Sequence, residues 1–389
     1  MHSDAITFNI FLIFTGAALL ATLALYARQA LIVAYIVLGL VFGPWGLGLI
    51  ADPAIIRQAS AIGIMFLLFL LGLNLHPQKL WKLLQEAMVV TGVSSLLFAL
   101  LGAVTGYVLG FAWLESLLVG AALMFSSTII GLKLLPTTVL HHQRTGGIII
   151  SILLLQDIIA ILILLALQAL GRGEMPLLDL ALLLLSLPGL VLFAYLAERY
   201  VLIRLIRRFD KIQEYIFLVA IGWCLGIAEL AYALGLSHEI GAFIAGVALA
   251  TSPIARFIAE SLKPLRDFFL VLFFFSLGAS FNLKLLQEIL LPALLLAAAV
   301  LLIKPLLFRH LLQRSGETGE RALEIGVRLG QISEFSLLIA VLALELGVMS
   351  HRASYLIQMT TLFTFIASSY FIVLRYPTPI STSDKLRRD

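Results

Sequence analysis

The chain has 389 residues, of which 61% are apolar and 12% are charged, and its mean hydropathy is +1.08. These values exclude a soluble domain and indicate an all-α membrane protein with many spans. The formal net charge of +4 does not predict a nucleic-acid partner, because the basic residues fall in short connections between apolar runs.

Apolar runs separated by polar residues predict thirteen transmembrane spans. In chain order they cover roughly 6–27, 30–50, 54–74, 86–110, 115–136, 144–170, 177–203, 213–233, 236–251, 266–281, 285–312, 320–346 and 351–375. The first run lacks a basic n-region and a cleavage site, which favours a retained span over a signal peptide. The basic segment from Ile254 to Arg266 follows the short ninth span and is predicted to lie along the membrane surface.

Lysine and arginine are distributed unevenly among the connections. Those after odd-numbered spans hold twenty, and those after even-numbered spans hold four. Because basic loops stay in the cytoplasm, this bias predicts an external N-terminus and a cytoplasmic C-terminus. The expected location is the cell (inner) membrane, with the lipid bilayer as surroundings.

An internal repeat is indicated at an offset of 206 residues. This offset places Gly72 of span three on Gly278 of span ten, span one on span eight and span six on span thirteen. Six spans and one linker helix separate the copies, so the second copy starts on the opposite side, as in many secondary transporters. The predicted organisation is a single transmembrane transport unit with two inverted six-helix repeats. Repeat one covers about 6–170, the linker about 177–211, repeat two about 213–375 and the tail 376–389.

Two spans are interrupted by polar residues at equivalent positions. Span five carries Ser126-Ser127-Thr128, and the offset places Thr128 on Glu334 in span twelve. Inverted repeats often place broken helices at the midplane, where backbone carbonyls and helix ends face an ion. The alternative is that the hydroxyl groups bond to their own helix and only pack against neighbours.

Asp157 lies near the middle of span six, next to Gln156. A carboxylate at membrane depth costs several kcal/mol, so it indicates a functional site, the alternative being a polar contact between helices. A partly desolvated carboxylate binds either a proton or a cation, which couples their fluxes. We expect Asp157 to be this group, with Gln156, Ser126, Ser127 and Thr128 completing the shell of K⁺ or Na⁺. Since only one carboxylate occupies this place, the sequence predicts electroneutral exchange of one proton per cation.

Several short motifs resemble one family, in the expected order along the chain. They are Gly39 to Gly46, Ser126-Ser127-Thr128, Gln156-Asp157, Gly241-Ala-Phe-Ile-Ala-Gly246 and Gly330-Gln-Ile-Ser-Glu-Phe335. The sequence resembles the Kef-type potassium/proton antiporters of the second monovalent cation:proton antiporter family.

This resemblance implies a homodimeric antiporter with a dimerisation domain, a mobile core domain and two crossed, discontinuous helices. It implies an elevator-like alternating-access motion, with K⁺ favoured over Na⁺ and no cofactor beyond the transported ion. Kef-type proteins usually carry a cytoplasmic nucleotide-binding domain after the last span, where this sequence has the short segment 376–389. Regulation by a nucleotide or a glutathione adduct is therefore not carried over, and a soluble regulatory subunit is a candidate partner.

Lys304, in span eleven, is a charge that needs a partner at membrane depth. In relatives, a basic residue on this helix faces the core acid, which makes Lys304 a candidate partner for Asp157. Arg328 and Glu334 are expected to neutralise one another or to stabilise helix ends. The other polar residues assigned to the electrostatics of the core are Gln331 and Ser333.

Two other functions fit the same pattern. One is a sodium-coupled symporter of an organic anion, and the other is a membrane protein that senses pH without transporting. The sequence carries no phosphate-binding loop and no catalytic triad, so neither an ATP-driven pump nor an enzyme is expected.

Overall fold

The computed structural model describes residues 2–27, 29, 31–50, 54–74, 77–133, 144–171, 177–209, 212–236, 238–280 and 283–378. The helices in these ranges are α1 (His2–Tyr26), α2 (Leu31–Phe42), α3 (Ala54–Asn74), α4 (Pro77–Val108), α5 (Trp113–Leu123), α6 (Thr128–Lys133), α7 (Arg144–Gly171), α8 (Leu177–Ala197), α9 (Ile203–Arg208), α10 (Gln213–Ala233), α11 (His238–Leu249), α12 (Ala255–Ala279), α13 (Leu283–Arg314), α14 (Gly319–Arg328), α15 (Glu334–Glu345) and α16 (His351–Arg375). A π-helical turn, Glu198–Leu202, joins α8 to α9.

Each predicted span contains helical residues, and the two polar interruptions are breaks between helices. We call residues 124–127, between α5 and α6, the first break, and residues 329–333, between α14 and α15, the second break. By length and composition, six of the described helices can cross a membrane. Their apolar stretches are Thr7–Tyr26, Ala87–Val108, Arg144–Leu164, Gln213–Ala233, Gln287–Arg314 and His351–Arg375.

The start of the tenth span differs from the prediction. Helix α12 begins at Ala255, so the basic segment predicted to lie along the membrane continues into the span as one helix. Pro264 lies inside this helix. It removes a single intrahelical hydrogen bond, which the length of the helix tolerates.

The helix boundaries repeat at the predicted offset. Adding 206 to the bounds of α4 reproduces those of α13, and Thr128, the first residue of α6, falls on Glu334, the first residue of α15. Helices α2 and α11 correspond within one residue, as do the starts of α7 and α16. Equivalent positions therefore begin, end and break their helices together.

The described chain forms two compact units. Unit 1 comprises Met1–Thr15, Leu38–Leu80 and Gln168–Ser280. Its packing is centred on α3, which contacts α11 and α12. A Cβ atom at Gly72 would lie 2.5 Å from the backbone oxygen of Phe243, so glycine permits the close approach of α3 and α11.

Unit 2 comprises Gly16–Val37, Trp81–Leu167 and Phe281–Asp389, and it contains both breaks. Helix α13 packs against α14 and α16, and α15 packs against α5 and α16. All residues proposed from the sequence for the ion site lie in this unit.

Contacts at the helix ends of unit 2 show that the two copies run in opposite directions. At one end, Glu115 in the first turn of α5 accepts a hydrogen bond from the Ser350 amide, just before α16 (2.6 Å). At the other end of α16, Arg375 lines a groove with Arg144, which begins α7, and Arg321, in the first turn of α14. Glu317 joins these two arginines. The equivalent helices α5 and α14 thus begin at opposite ends.

Candidate functional site

The two breaks contact each other in the interior of unit 2. The Ser126 hydroxyl group donates to the Leu329 carbonyl oxygen (2.8 Å), and the Ser336 hydroxyl group donates to the Ala122 carbonyl oxygen (2.5 Å). Each interrupted helix therefore supplies a serine donor to a carbonyl that the other interrupted helix leaves without an intrahelical partner. This exchange holds the two discontinuous helices across one another.

Equivalent serines cap the half-helices that follow the breaks. Ser127 Oγ accepts a hydrogen bond from the Ile130 amide, and Ser333 Oγ accepts one from the Phe335 amide, both at 3.1 Å. Serine is a favoured N-cap residue because its oxygen satisfies an otherwise unpaired amide. The predicted polar clusters thus explain where α6 and α15 begin.

Gln156 binds the first break with both ends of its amide group. Its Oε1 accepts from the Ser126 amide (2.9 Å), and its Nε2 donates to the Met124 carbonyl oxygen (3.1 Å). In the second copy, Thr364 Oγ1 accepts from the Ile332 amide (3.1 Å). Ile332 is the repeat equivalent of Ser126, so the last helix of each copy stabilises the same backbone position.

Gln331 connects the second break to its surroundings. Its Nε2 lies 2.9 Å from the Arg328 carbonyl oxygen and 3.4 Å from that of Ser127, and its Oε1 accepts from the Ser368 hydroxyl group (2.9 Å). Sequence reasoning missed Thr364, Ser336 and Ser368. The 206-residue offset, applied to Gln156, would have pointed within two residues of Thr364.

Lys304 is completely buried between the breaks. Its Nζ donates to the carbonyl oxygens of Phe125 (2.6 Å) and Gln331 (3.2 Å), which are repeat equivalents, and lies 3.4 Å from Ser126 Oγ. The offset pairs Lys304 itself with Phe98, and the ammonium group lies 5.2 Å from the centre of that ring. Lys304 therefore lies where the two copies meet.

The predicted ion pair between Lys304 and Asp157 is wrong for this structure, since neither a hydrogen bond nor an ion pair joins them. The ammonium group instead neutralises the partial negative charge of carbonyls that the breaks leave without helical donors. Backbone carbonyl oxygens, and not the Asp157 carboxylate, are thus the partners of Lys304.

Asp157 lies on α7 with 2% of its surface exposed. Its carboxyl group interacts with the Thr128 hydroxyl group and electrostatically with the Glu334 carboxyl group. The contact with Thr128 lacks regular hydrogen-bond geometry. Within the described residues, neither Asp157 Oδ2 nor Thr128 Oγ1 has a hydrogen-bond partner. Two buried oxygen atoms are therefore available to a ligand where α6 and α15 begin.

The expectation of a single carboxylate at this place is wrong. Glu334 has 5% of its surface exposed, and its charge acts on Asp157. The repeat explains the arrangement, because Glu334 is the equivalent of Thr128, the hydroxyl neighbour of Asp157. The site therefore combines two acidic residues with a hydroxyl group.

Arg328 is fully buried at the end of α14, and the ion pair that the structure gives it is with Glu324, whereas the sequence suggested Glu334. Its guanidinium group binds Glu324 (2.9 Å) and the Pro377 carbonyl oxygen (3.0 Å) and lies over the Tyr376 ring. The other expectation, that Arg328 stabilises a helix end, stays a prediction, because the guanidinium group points back one turn to Glu324.

In the parts of the chain that the structure describes, no group of three or more His, Cys, Asp or Glu side chains could hold a metal ion.

Comparisons with known proteins agree with this geometry. The family model described as "Sodium/hydrogen exchanger, transmembrane" matches residues 11–375. Two curated relatives are the glutathione-regulated potassium-efflux system proteins KefC of Salmonella schwarzengrund (strain CVM19633) and Salmonella typhi. Each is 31% identical over 372 residues, covering 93% of this chain. The chain spans 59% of the length of these relatives.

A solved structure supports the fold. The sodium proton antiporter MjNhaP1 of Methanocaldococcus jannaschii at pH 8 is similar with a TM-score of 0.72 and 19% identity, covering 96% of this chain and 98% of that chain. This likeness confirms the predicted fold class, a sodium/proton antiporter-like membrane fold with crossed discontinuous helices. Because the family model covers nearly all of the sequence, the chain belongs to the sodium/hydrogen exchanger family of transmembrane proteins.

Proposed function

We propose that this protein is a secondary active antiporter that exchanges a monovalent cation for H⁺, with Asp157 binding either ion. The observation that carries the proposal is the pair of buried oxygens, Asp157 Oδ2 and Thr128 Oγ1, that lack hydrogen-bond partners within the described residues at the crossing of two broken helices. Buried polar atoms without partners are costly, so a site that binds an ion explains why they are there.

The exchange follows from competition for one carboxyl group. When Asp157 is ionised, its charge and the Thr128 hydroxyl oxygen attract a cation. When a proton binds, the attraction is lost and the cation leaves. The hydrogen bonds of Ser126, Ser127 and Gln156 hold the two breaks beside α6 and so set the positions of backbone oxygens there. No covalent bond is made or broken, and no cofactor is needed.

The stoichiometry depends on Glu334. If Asp157 alone exchanges protons, one proton moves per cation, and transport is electroneutral. We keep this ratio as the proposal and assign Glu334 a fixed charge that strengthens cation binding. Transport by Glu334→Gln should then remain insensitive to membrane potential, like that of the wild-type protein. A wild-type rate that depends on potential would instead indicate that Glu334 also exchanges a proton.

The names of the relatives support the choice of the transported cation and of the membrane in which the protein lies. The KefC proteins are potassium-efflux systems by name, and we propose K⁺ as the preferred cation over Na⁺. We also propose that the chain is a single transport unit, that it forms a homodimer in the cell (inner) membrane, and that it works by an elevator-like motion. Its N-terminus would lie outside and its C-terminus in the cytoplasm, with a soluble regulatory subunit as a further partner. The organic-anion symporter and the non-transporting pH sensor gain no support from the family.

The proposal is tested by proton flux in liposomes that contain the purified protein. Li⁺, Na⁺, K⁺ and Rb⁺ are added under a pH gradient, and a pH-sensitive dye reports the exchange. We expect Asp157→Asn to abolish cation-driven flux. The matched control is Asp267→Asn, which changes a half-exposed acid of unit 1 and should keep wild-type flux. Full flux in Asp157→Asn would refute the role of this residue.

A further inference from the structure

We propose that unit 2 carries a binding groove for a phosphate group, separate from the cation site. The groove lies where α7 and α14 begin and α16 ends, and its volume is about 630 Å³. Three arginines, Arg144, Arg321 and Arg375, line it together with Thr145 and Thr318. This volume is in the range of small-molecule sites.

One buried acid organises two of the arginines. Glu317 accepts from Arg144 Nε at 2.6 Å and from an Arg321 terminal nitrogen at 2.8 Å. Burial raises the pKa of Glu317, but the hydrogen bonds and charges of the two arginines outweigh it, and the pKa is lowered overall. A single carboxylate therefore holds two guanidinium groups in place, which leaves one positive charge in excess.

The remaining charges around the groove do not cancel this excess. Glu324 lines the groove but pairs with the buried Arg328 behind it. Glu320 is the other acid of the lining, and Arg375 is exposed and forms no ion pair with any described residue. Together, four arginines meet three glutamates, and among the described residues no acid pairs with Arg375.

The internal repeat shows that the fold does not require these arginines. The offset of 206 places Arg144 on Ser350 and Arg321 on Glu115, and these equivalents join α5 to α16 by a hydrogen bond from the Ser350 amide. Arg375 falls on Ala169. The positive-inside bias accounts for basic residues at one membrane face, but not for three of them converging on one groove.

Phosphate is the chemistry that this lining recognises best. Guanidinium groups bind phosphate oxygens through paired hydrogen bonds. Helix α14 begins beside them, and its N-cap residue, Thr318, makes no side-chain capping bond, so first-turn amides remain available to an anion. A bound phosphate would connect α7, which carries Asp157, to α14, which leads into the second break. The source is either a free phosphate compound or an anionic lipid headgroup.

Binding is tested without any transport assay, so the result does not depend on the proposed function. The melting temperature of the purified, detergent-solubilised chain is followed while inorganic phosphate is added at constant ionic strength. A second series uses dioleoyl phosphatidylglycerol, with phosphatidylcholine as the neutral lipid. The test variant is Arg375→Gln, because Arg375 supports no described ion pair. The control is Arg309→Gln, which removes an exposed arginine of α13 outside the groove.

We expect one of the two phosphate sources to raise the melting temperature of the wild-type protein and of Arg309→Gln. In Arg375→Gln the apparent Kd should weaken by roughly tenfold or more, the loss of one charged hydrogen bond. A response to inorganic phosphate identifies a free phosphate ligand, and a response to phosphatidylglycerol alone identifies a lipid headgroup. The proposal is overturned if neither ligand acts, or if Arg375→Gln and Arg309→Gln respond alike.

Discussion

Replacement of Lys304 by methionine tests how the two breaks are held together. The change keeps an apolar stem of similar length and removes Nζ, which donates to the Phe125 and Gln331 carbonyl oxygens. A buried acceptor left without its donor costs about 1–3 kcal/mol. Two such losses are partly offset because the ammonium group no longer has to be buried. We expect a net destabilisation of roughly 2–4 kcal/mol.

This free energy converts into a measurable shift of the melting temperature. An unfolding entropy of about 2.1 cal/mol/K per residue over 389 residues corresponds to roughly 0.8 kcal/mol/K. Lys304→Met should therefore melt about 3–5 °C below the wild-type protein in detergent. Lys304→Gln should recover part of the loss, since a neutral amide can still donate to one carbonyl group.

A double-mutant cycle with Asp157→Asn separates this role from that of an ion-pair partner. If Lys304 binds the carbonyl groups, its replacement should lower the free energy of unfolding by nearly the same amount in the wild-type and Asp157→Asn backgrounds. The coupling free energy between the two substitutions should then be under about 1 kcal/mol. Removing one member of a buried ion pair typically costs about 3–5 kcal/mol, and the cost would fall sharply in the Asp157→Asn background. A coupling of that size, or equal melting of the methionine and glutamine variants, would refute the carbonyl-bridging role.

Three further predictions concern the supports of the site. Gln156→Leu leaves an amide and a carbonyl group of the first break without partners and should destabilise the chain by roughly 2–4 kcal/mol. Thr364→Val removes only one acceptor and should destabilise the chain less. The melting temperatures of the two variants give this order, and a reversed order would contradict it. The serine caps should be equivalent, so Ser127→Ala and Ser333→Ala should each cost about 1 kcal/mol in the same measurement, and a clear difference would argue against equivalent roles. The pKa of Glu317 is lowered on folding, so its stabilising effect is complete above its ordinary value of 4.5 and is lost as pH falls through the lowered value. Glu317→Gln should therefore melt below the wild-type protein by a constant amount between about pH 6 and 8 and approach it under acidic conditions; a difference that changes between pH 6 and 8 would contradict the assignment.

The sequence by itself determined the spans and the places where two of them break. Membrane helices satisfy their backbone groups locally, so an apolar run and its polar interruption can be read from neighbouring residues. The cap residues Ser127 and Ser333 also act on amides within three positions of themselves. The offset of 206 residues was visible for the same reason, because each copy repeats its local pattern.

Only the tertiary structure decided which groups of the core meet. Lys304 binds a carbonyl 179 residues away in the chain, and it does so in preference to an acid because broken helices expose backbone oxygens whose positions no local pattern records. The partner of Arg328, the second acid beside Asp157 and the arginine groove have the same origin. Each depends on how the two inverted copies pack around one another, which brings together residues that composition and spacing leave far apart.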